Sequence, residues 1–127
     1  MRATDLLEPR PEGLYCPQGD FWVDPVRPVP RAVVTHGHAD HCRPGAEALL
    51  ATPETARIAA ARYGEGAFGA VQALPPGESL RIGEATLRFA PAGHVLGSAQ
   101  AVIEAGGARA VVSGDYKRRA DPTCAAF

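Results

Sequence analysis

Residues 31–41 read RAVVTHGHADH, a short apolar run followed directly by three histidines and an aspartate. The apolar run predicts a buried strand, so the histidine-rich hexapeptide would form a loop at the carboxyl end of that strand. Imidazole and carboxylate are ligands that suit a borderline divalent ion such as zinc. In extended backbone His36 and His38 point to the same side, whereas Asp40 and His41 lie around the following bend. This arrangement indicates two adjacent metal ions rather than a histidine-rich surface turn.

Two further candidate ligands, His94 and Asp115, lie later in the chain. The remaining histidine, His94, lies in the glycine-flanked segment 90–98, APAGHVLGS. Glycine is typical where the backbone bends sharply or passes close to a ligand. Asp115 follows a second apolar run, ARAVVSG, at 108–114. Such an aspartate is commonly a helix cap or a turn residue, but its two carboxylate oxygens could also bridge two ions, which no imidazole can do.

Together these motifs resemble the successive metal motifs of the metallo-β-lactamase fold: HxHxDH at 36–41, GHxxGS at 93–98 and SGDY at 113–116. The flanking residues resemble more closely the bacterial DNA-ligase-associated exonucleases, in the nucleic-acid-processing (β-CASP) branch that also includes RNA 3′-end-processing nucleases. The residues that carry this closer resemblance are Gly13-Leu14-Tyr15-Cys16, Gly19-Asp20-Phe21, Asp24-Pro25, residues 90–100 and residues 112–117. It extends from about Leu6 to the last residue.

The resemblance implies an α/β (in some schemes α+β) protein that forms the first half of an αββα sandwich, with a mostly antiparallel or mixed sheet and flanking helices. Residues 1–127 would be the truncated N-terminal part of a metallo-β-lactamase domain, without the β-CASP insertion, the second half and a further histidine for the second ion. Asp24 matches an aspartate that orients the metal loop from behind; alternatively it is a turn residue before Pro25. The implied cofactors are two divalent ions, Zn²⁺ or alternatively Mn²⁺, with these ligands: His36, His38 and His94 on one ion, Asp40 and His41 on the other, and Asp115 bridging both.

The function implied by the resemblance is that of a zinc-dependent phosphodiesterase, an exonuclease that hydrolyses DNA or RNA through a metal-bridged hydroxide during DNA repair. Asp40 is the candidate catalytic residue, because it would position the attacking water or take its proton. The implied partners are the nucleic acid, preferably DNA, and an ATP-dependent DNA ligase or a helicase. The full-length family member would be a metal-dependent hydrolase, whereas we expect weak or no activity from residues 1–127 alone.

Two alternatives remain open from the residues themselves. The same dinuclear centre could attack the carbonyl group of a small thioester, lactam or lactone. The chain could also be an inactive fragment or a binding module, because the second metal site is incomplete.

Composition excludes several classes of protein. With 127 residues, 46% hydrophobic and 21% charged, the chain suits one modest domain and is neither disordered nor fibrous. A net charge of −1 gives no overall attraction to nucleic acid, so phosphate contact would depend on the metals or on the basic run 117–119. The three widely spaced cysteines favour a reducing compartment. No apolar run approaches the roughly 18 residues of a membrane span, so we expect a cytoplasmic protein without a membrane partner.

The local patterns also predict secondary structure. We expect an irregular lead-in at 1–12, a short helix at 46–50, and a helix over 54–63 with Thr52 as its N-cap and with Arg57 and Arg62 toward solvent. Hairpin turns are predicted at Gly83-Glu84 and Gly106-Gly107. Strands are predicted at 14–15, 21–23, 31–35, 71–74, 79–82, 85–89, 99–104 and 108–112.

Overall fold

Two β-sheets and one α-helix form the fold of the computed structural model, which describes residues 1–127. The first sheet has six strands in chain order: β1 (Glu8–Arg10), β2 (Gly13–Cys16), β3 (Phe21–Val23), β4 (Arg31–Val33), β5 (Ala48–Ala51) and β6 (Ala70–Ala73). The second sheet has four, in the order β10 (Ala108–Val112), β9 (Ala99–Ala105), β8 (Ala85–Pro91) and β7 (Ser79–Ile82). The chain is therefore α+β, with one mixed and one antiparallel sheet.

The parallel part of the first sheet overturns one prediction. Strands β3 to β6 run parallel to one another, and residues 48–51 form β5 at the middle of this part instead of a helix at 46–50. Leu49 and Leu50 point to opposite faces and are both buried. A short continuous apolar run is therefore what a strand covered on both faces requires. Strand β4 ends at Val33, two residues earlier than predicted.

The two sheets pack against each other through one apolar core. Phe21 and Val33 of the first sheet belong to the same buried cluster as Leu87, Phe89 and Ile103 of the second. Burying a side chain of this size contributes about 1.5–3 kcal/mol to the free energy of unfolding. The core therefore fixes the position of one sheet relative to the other, and with it the loops that follow their strands.

A single helix covers the outer face of the first sheet. Helix α1 (Pro53–Tyr63) begins as predicted, with the Thr52 hydroxyl accepting a hydrogen bond from the Thr55 backbone N–H, and ends at Gly64 in the left-handed region (φ 85°). Ala59 packs into a second cluster with Leu49 and Ala51 of β5. The prediction of flanking helices is met on this face only, because the chain has no other α-helix.

The N-terminal segment and the hairpin turns can be compared with the sequence predictions. The lead-in is not wholly irregular, since a 3-10 turn (Ala3–Asp5) is followed by β1, which pairs with β2. The hairpin turns between β7 and β8 and between β9 and β10 are confirmed. All three cysteines are free. No helix has the length and apolar character needed to cross a membrane.

Candidate metal centre

Three loops that follow strand ends meet at one edge of the two sheets. The loop after β4 carries the hexapeptide 36–41, the loop after β8 carries His94, and Asp115 lies just beyond β10. The backbone N–H of Ala99 donates to the carbonyl oxygen of Thr35 at 2.8 Å, which ties the first two loops together. Residues far apart in the chain are thus brought into one site.

The first group of donors contains His36, His38, His94 and Asp115, whose ligand atoms all lie within 4.8 Å of one another. His94 Nε2 is 3.2 Å from His38 Nδ1. Asp115 Oδ2 is 3.7 Å from His36 Nε2 and 3.7 Å from His94 Nε2. Four tetrahedral donors at about 2.0–2.2 Å from one zinc ion would be about 3.3–3.6 Å apart. These three distances are close to that spacing, so the group could hold a single ion.

The second group faces the other oxygen of Asp115. His41 Nε2 is 3.7 Å from Asp115 Oδ1 and 3.6 Å from Asp40 Oδ2. The Asp40 side chain is 72% exposed and that of Asp115 51% exposed, so both carboxylates border solvent. The structure brings all six predicted ligands together, with one oxygen of Asp115 toward each group.

His36 gives the clearest sign that an ion belongs here. Its side chain is fully buried, and its Nε2 atom has no hydrogen-bond partner. A buried polar atom without a partner costs about 1–3 kcal/mol, so such an atom calls for an explanation. A cation bound by His36 and Asp115 would supply the missing partner, and an imidazole and carboxylate donor set suits a transition-metal ion. The groups indicate metal binding.

Asp24 holds the loop from behind, and it does so with both oxygens. Oδ1 accepts the Thr35 backbone N–H at 2.8 Å, and Oδ2 accepts the Thr35 hydroxyl at 2.6 Å and His41 Nδ1 at 2.8 Å. Asp24 is also a turn residue in the left-handed region (φ 46°). Asp24 therefore both orients the metal loop and lies in the turn before Pro25, the two roles that the sequence offered as alternatives.

These hydrogen bonds determine which nitrogen of each ring carries the proton. Since an ionised carboxylate can only accept, the proton of His41 is on Nδ1 and its Nε2 lone pair faces Asp40 and Asp115. The Thr35 hydroxyl donates to Asp24 and so accepts from His36 Nδ1 at 3.1 Å. When they are neutral, both rings therefore present an unprotonated Nε2 to the site, as metal ligation requires.

The pKa values of the metal-free site follow from burial and charge. Burial, aided by the nearby His41, lowers the pKa of His36 to about 4, so His36 is neutral at pH 7. Burial opposes the charged form of His41, but the hydrogen bond from His41 to Asp24 and the charge of Asp24 outweigh it and raise the pKa of His41. Burial raises the pKa of Asp24 against the hydrogen bonds from Thr35 and His41.

Helix α1 supports the metal loop through residues that sequence reasoning missed. Arg57 and Arg62 are exposed as predicted, but the Arg62 side chain also donates to the carbonyl oxygen of Gly37, and the Tyr63 hydroxyl donates to the Cys42 carbonyl oxygen at 2.7 Å. Both acceptors are backbone carbonyl oxygens, so the pattern of side chains in the sequence does not indicate these contacts. The Thr35 hydroxyl could have been noticed, since it is the only polar side chain in the run 32–35.

Comparisons with known proteins found a similarity in sequence to one curated protein and a similarity in fold to solved structures. No model of a known protein family matches the chain. Over 109 residues, 84% of the chain, it is 35% identical to a protein of Opitutus terrae named "Probable DNA ligase". The chain spans only 10% of that protein's length.

Two solved structures are similar in fold. One is CmlA, a diiron beta-hydroxylase from Streptomyces venezuelae, with a TM-score of 0.58 and 20% identity over 80% of this chain and 27% of CmlA. The other is a protein of unknown function from Enterococcus faecalis V583, with a TM-score of 0.56 and 17% identity over 69% of this chain and 25% of that one. CmlA has a metallo-β-lactamase fold, and the likeness extends to the fold alone.

Proposed function

We propose that this chain provides the dinuclear metal centre of a metal-dependent phosphodiesterase that acts as an exonuclease on DNA in repair. The observation that carries the proposal is the position of Asp115, whose Oδ2 faces the histidines 36 and 94 while Oδ1 faces His41. A carboxylate with one oxygen toward each of two donor groups is suited to hold two ions side by side. The likeness in fold to a diiron enzyme supports two metals on such a scaffold.

Zinc suits the donors best, because four of the six are imidazoles; Mn²⁺ is the alternative. When bound, a pair of divalent ions makes a water molecule nucleophilic at neutral pH and screens the charge of phosphate oxygens. His36, His38 and His94 would hold one ion, Asp40 and His41 the other, and Asp115 both. Asp40, the most exposed of these carboxylates, would orient the attacking water or accept its proton.

Two observations support DNA as the substrate. Most of the chain matches a stretch of a protein named as a probable DNA ligase. The exposed Arg118 and Arg119 follow Asp115 closely, and the exposed ring of Tyr116 lies between Asp115 and this basic run. Arginine contacts phosphate and aromatic rings stack on bases, so these residues supply local affinity that a net charge of −1 does not. An exonuclease and a DNA ligase both act at DNA ends, and we therefore propose such a ligase as the functional partner.

Hydrolysis of labelled single-stranded DNA by the Zn²⁺-loaded or Mn²⁺-loaded protein tests this function. We expect two bound ions per chain, shortening of the DNA from one end, and loss of activity with a chelator, with His38→Ala and with Asp115→Asn. Asp20→Asn, which changes a carboxylate in the β2–β3 turn away from the centre, is the control and should keep activity.

The other outcomes each exclude part of the proposal. Cleavage of labelled RNA but not of DNA would change the substrate. Turnover of a thioester or of nitrocefin without nuclease activity would replace the phosphodiesterase with a carbonyl hydrolase. Two bound ions without any turnover would indicate a binding module.

A further inference from the structure

Helix α1 contacts both loops that carry the histidine ligands, and these loops belong to different sheets. Its N-terminal end meets the loop with His94, which follows β8. Its C-terminal end meets the loop with His36 and His38, which follows β4. The helix spans 11 residues, or about 16 Å at 1.5 Å per residue.

The N-terminal contact converges on one carbonyl group. The hydroxyls of Thr52 and Thr55, both buried, lie 2.7 and 3.2 Å from the carbonyl oxygen of Gly97. A side chain at Gly97 would collide with the helix, since its Cβ would come within 2.7 Å of Glu54 Cβ. Ser98 Oγ accepts the backbone N–H groups of His94 and Val95, at 3.0 and 3.1 Å. The His94 loop is therefore compact and is seated on the helix.

The C-terminal contact holds the loop after β4 at two points. Tyr63 donates to the Cys42 carbonyl oxygen and Arg62 to the Gly37 carbonyl oxygen. Gly37 also lies on the helix, because a Cβ there would be 2.7 Å from Ile58 Cγ2. Gly37 lies between the proposed ligands His36 and His38, and Cys42 directly follows His41.

We propose that α1 is a brace that sets the spacing between the two histidine loops before any ion is bound, with Thr55 and Tyr63 as its positioning residues. The inference rests on the metal centre proposed above. A rigid helix sets the distance between two loops only when both of its ends are attached. Loosening one end should therefore remove most of its effect on the spacing of the loops. Without it, only the Thr35–Ala99 hydrogen bond would join the two loops directly through the backbone.

Metal affinity, measured by competition with a chromophoric chelator, tests the brace through a double-mutant cycle. Thr55→Val and Tyr63→Phe each remove one hydroxyl and little volume, and outer partners of metal ligands are commonly worth about 10–100-fold in affinity. Both hydroxyls bind the backbone of the ligand loops, and Thr52 and Arg62 keep one contact at each end. We therefore expect each variant to weaken zinc binding by about the lower end of this range, about 10-fold, and the double variant to be little weaker than either single one. Thr55→Ser should bind as the parent does, and Tyr15→Phe, which loses a hydrogen-bonded phenol elsewhere, should do the same.

Residues 55 and 63 are about 12 Å apart along the helix, and effects at such distances usually add. A double variant weakened by the product of the single effects would therefore overturn the brace, because each residue would then act on its own loop only. Unchanged affinity in both single variants would overturn it as well.

Amide hydrogen exchange of the metal-free protein separates this inference from the proposed function. We expect Tyr63→Phe to speed exchange in the distant segment 94–98 as well as at Cys42, whose N–H donates to the His38 carbonyl oxygen at 2.8 Å. Faster exchange near Cys42 alone would overturn the brace. A parent protein that binds no metal would overturn the metal centre, and this exchange measurement would then decide the brace by itself.

Discussion

Replacing Asp24 with asparagine should move a proton within the site and weaken metal binding without unfolding the protein. The asparagine side chain can still accept the Thr35 N–H through its one oxygen, but an NH₂ group replaces the oxygen that now accepts from His41 Nδ1 at 2.8 Å. An NH₂ group only donates, so Nδ1 must become the acceptor and the ring proton moves to Nε2. His41 then has no lone pair on the nitrogen that faces Asp40 and Asp115.

The size of the effect follows from the contacts of Asp24. Loss of an outer partner costs about 10–100-fold in metal affinity, or about 1.4–2.7 kcal/mol. The unfolding free energy of the metal-free protein should change by only about 1 kcal/mol or less. Burial of the Asp24 carboxylate costs free energy and raises its pKa, so removing this buried charge offsets part of the hydrogen bonding that is lost with Oδ2. Asparagine also tolerates the left-handed backbone at this position.

Chelator competition gives the affinity, nitrogen chemical shifts of His41 give the tautomer, and urea unfolding gives the stability. The matched control is Asp20→Asn, because Asp20 also has a left-handed backbone (φ 53° against 46° at Asp24) and also accepts a hydrogen bond, from Tyr15 at 2.7 Å. The reasoning is refuted by an Asp24→Asn protein that binds two ions as tightly as the parent and keeps the His41 proton on Nδ1.

Three further predictions concern the core, the ions and the pH. Phe89→Ala should lower the unfolding free energy by about 3–5 kcal/mol, because Phe89 is fully buried between the sheets; a loss below about 1 kcal/mol in urea unfolding would contradict the shared core. Free Zn²⁺ at about 100 times its Kd should add about 2.7 kcal/mol of stability, seen as a rise in Tm that a chelator reverses; a Tm independent of zinc would exclude the metal centre. In the metal-free protein the unfolded chain protonates His36 below about pH 6.5, whereas the folded chain resists until about pH 4. His36 therefore removes up to about 3 kcal/mol of stability as the pH falls through this window; His36→Gln should flatten the loss, and an equal pH dependence in both proteins would show that His36 is not its source.

Much of the candidate site follows from local sequence because its proposed ligands come shortly after strands. An apolar run that ends in polar, metal-binding side chains places those side chains at a sheet edge whatever the details of the core. The N-cap of α1 is equally predictable from the sequence, since Thr52-Pro53-Glu54 combines a capping hydroxyl with a proline at the first turn. Such signals depend on one to three adjacent residues.

The errors concern contacts made across the fold. Residues 46–50 contain two leucines and two alanines, a composition that favours a helix, yet parallel pairing of β5 with β4 and β6 turns residues 48–51 into a strand. Arg62 is exposed as expected, but nothing in the local sequence indicates its hydrogen bond to the Gly37 carbonyl oxygen. Tertiary pairing overrides local propensity at residues 48–51.

The order in which the chain is made has a consequence for the centre. The first four proposed ligand residues leave the ribosome together at 36–41, whereas His94 follows the first two strands of the second sheet and Asp115 follows all four. A cation captured early would have an incomplete coordination shell, and that shell closes only when the later sheet docks onto the earlier one. Maturation of the centre is thereby tied to the most non-local step of folding, which is the kind of step that folds slowly.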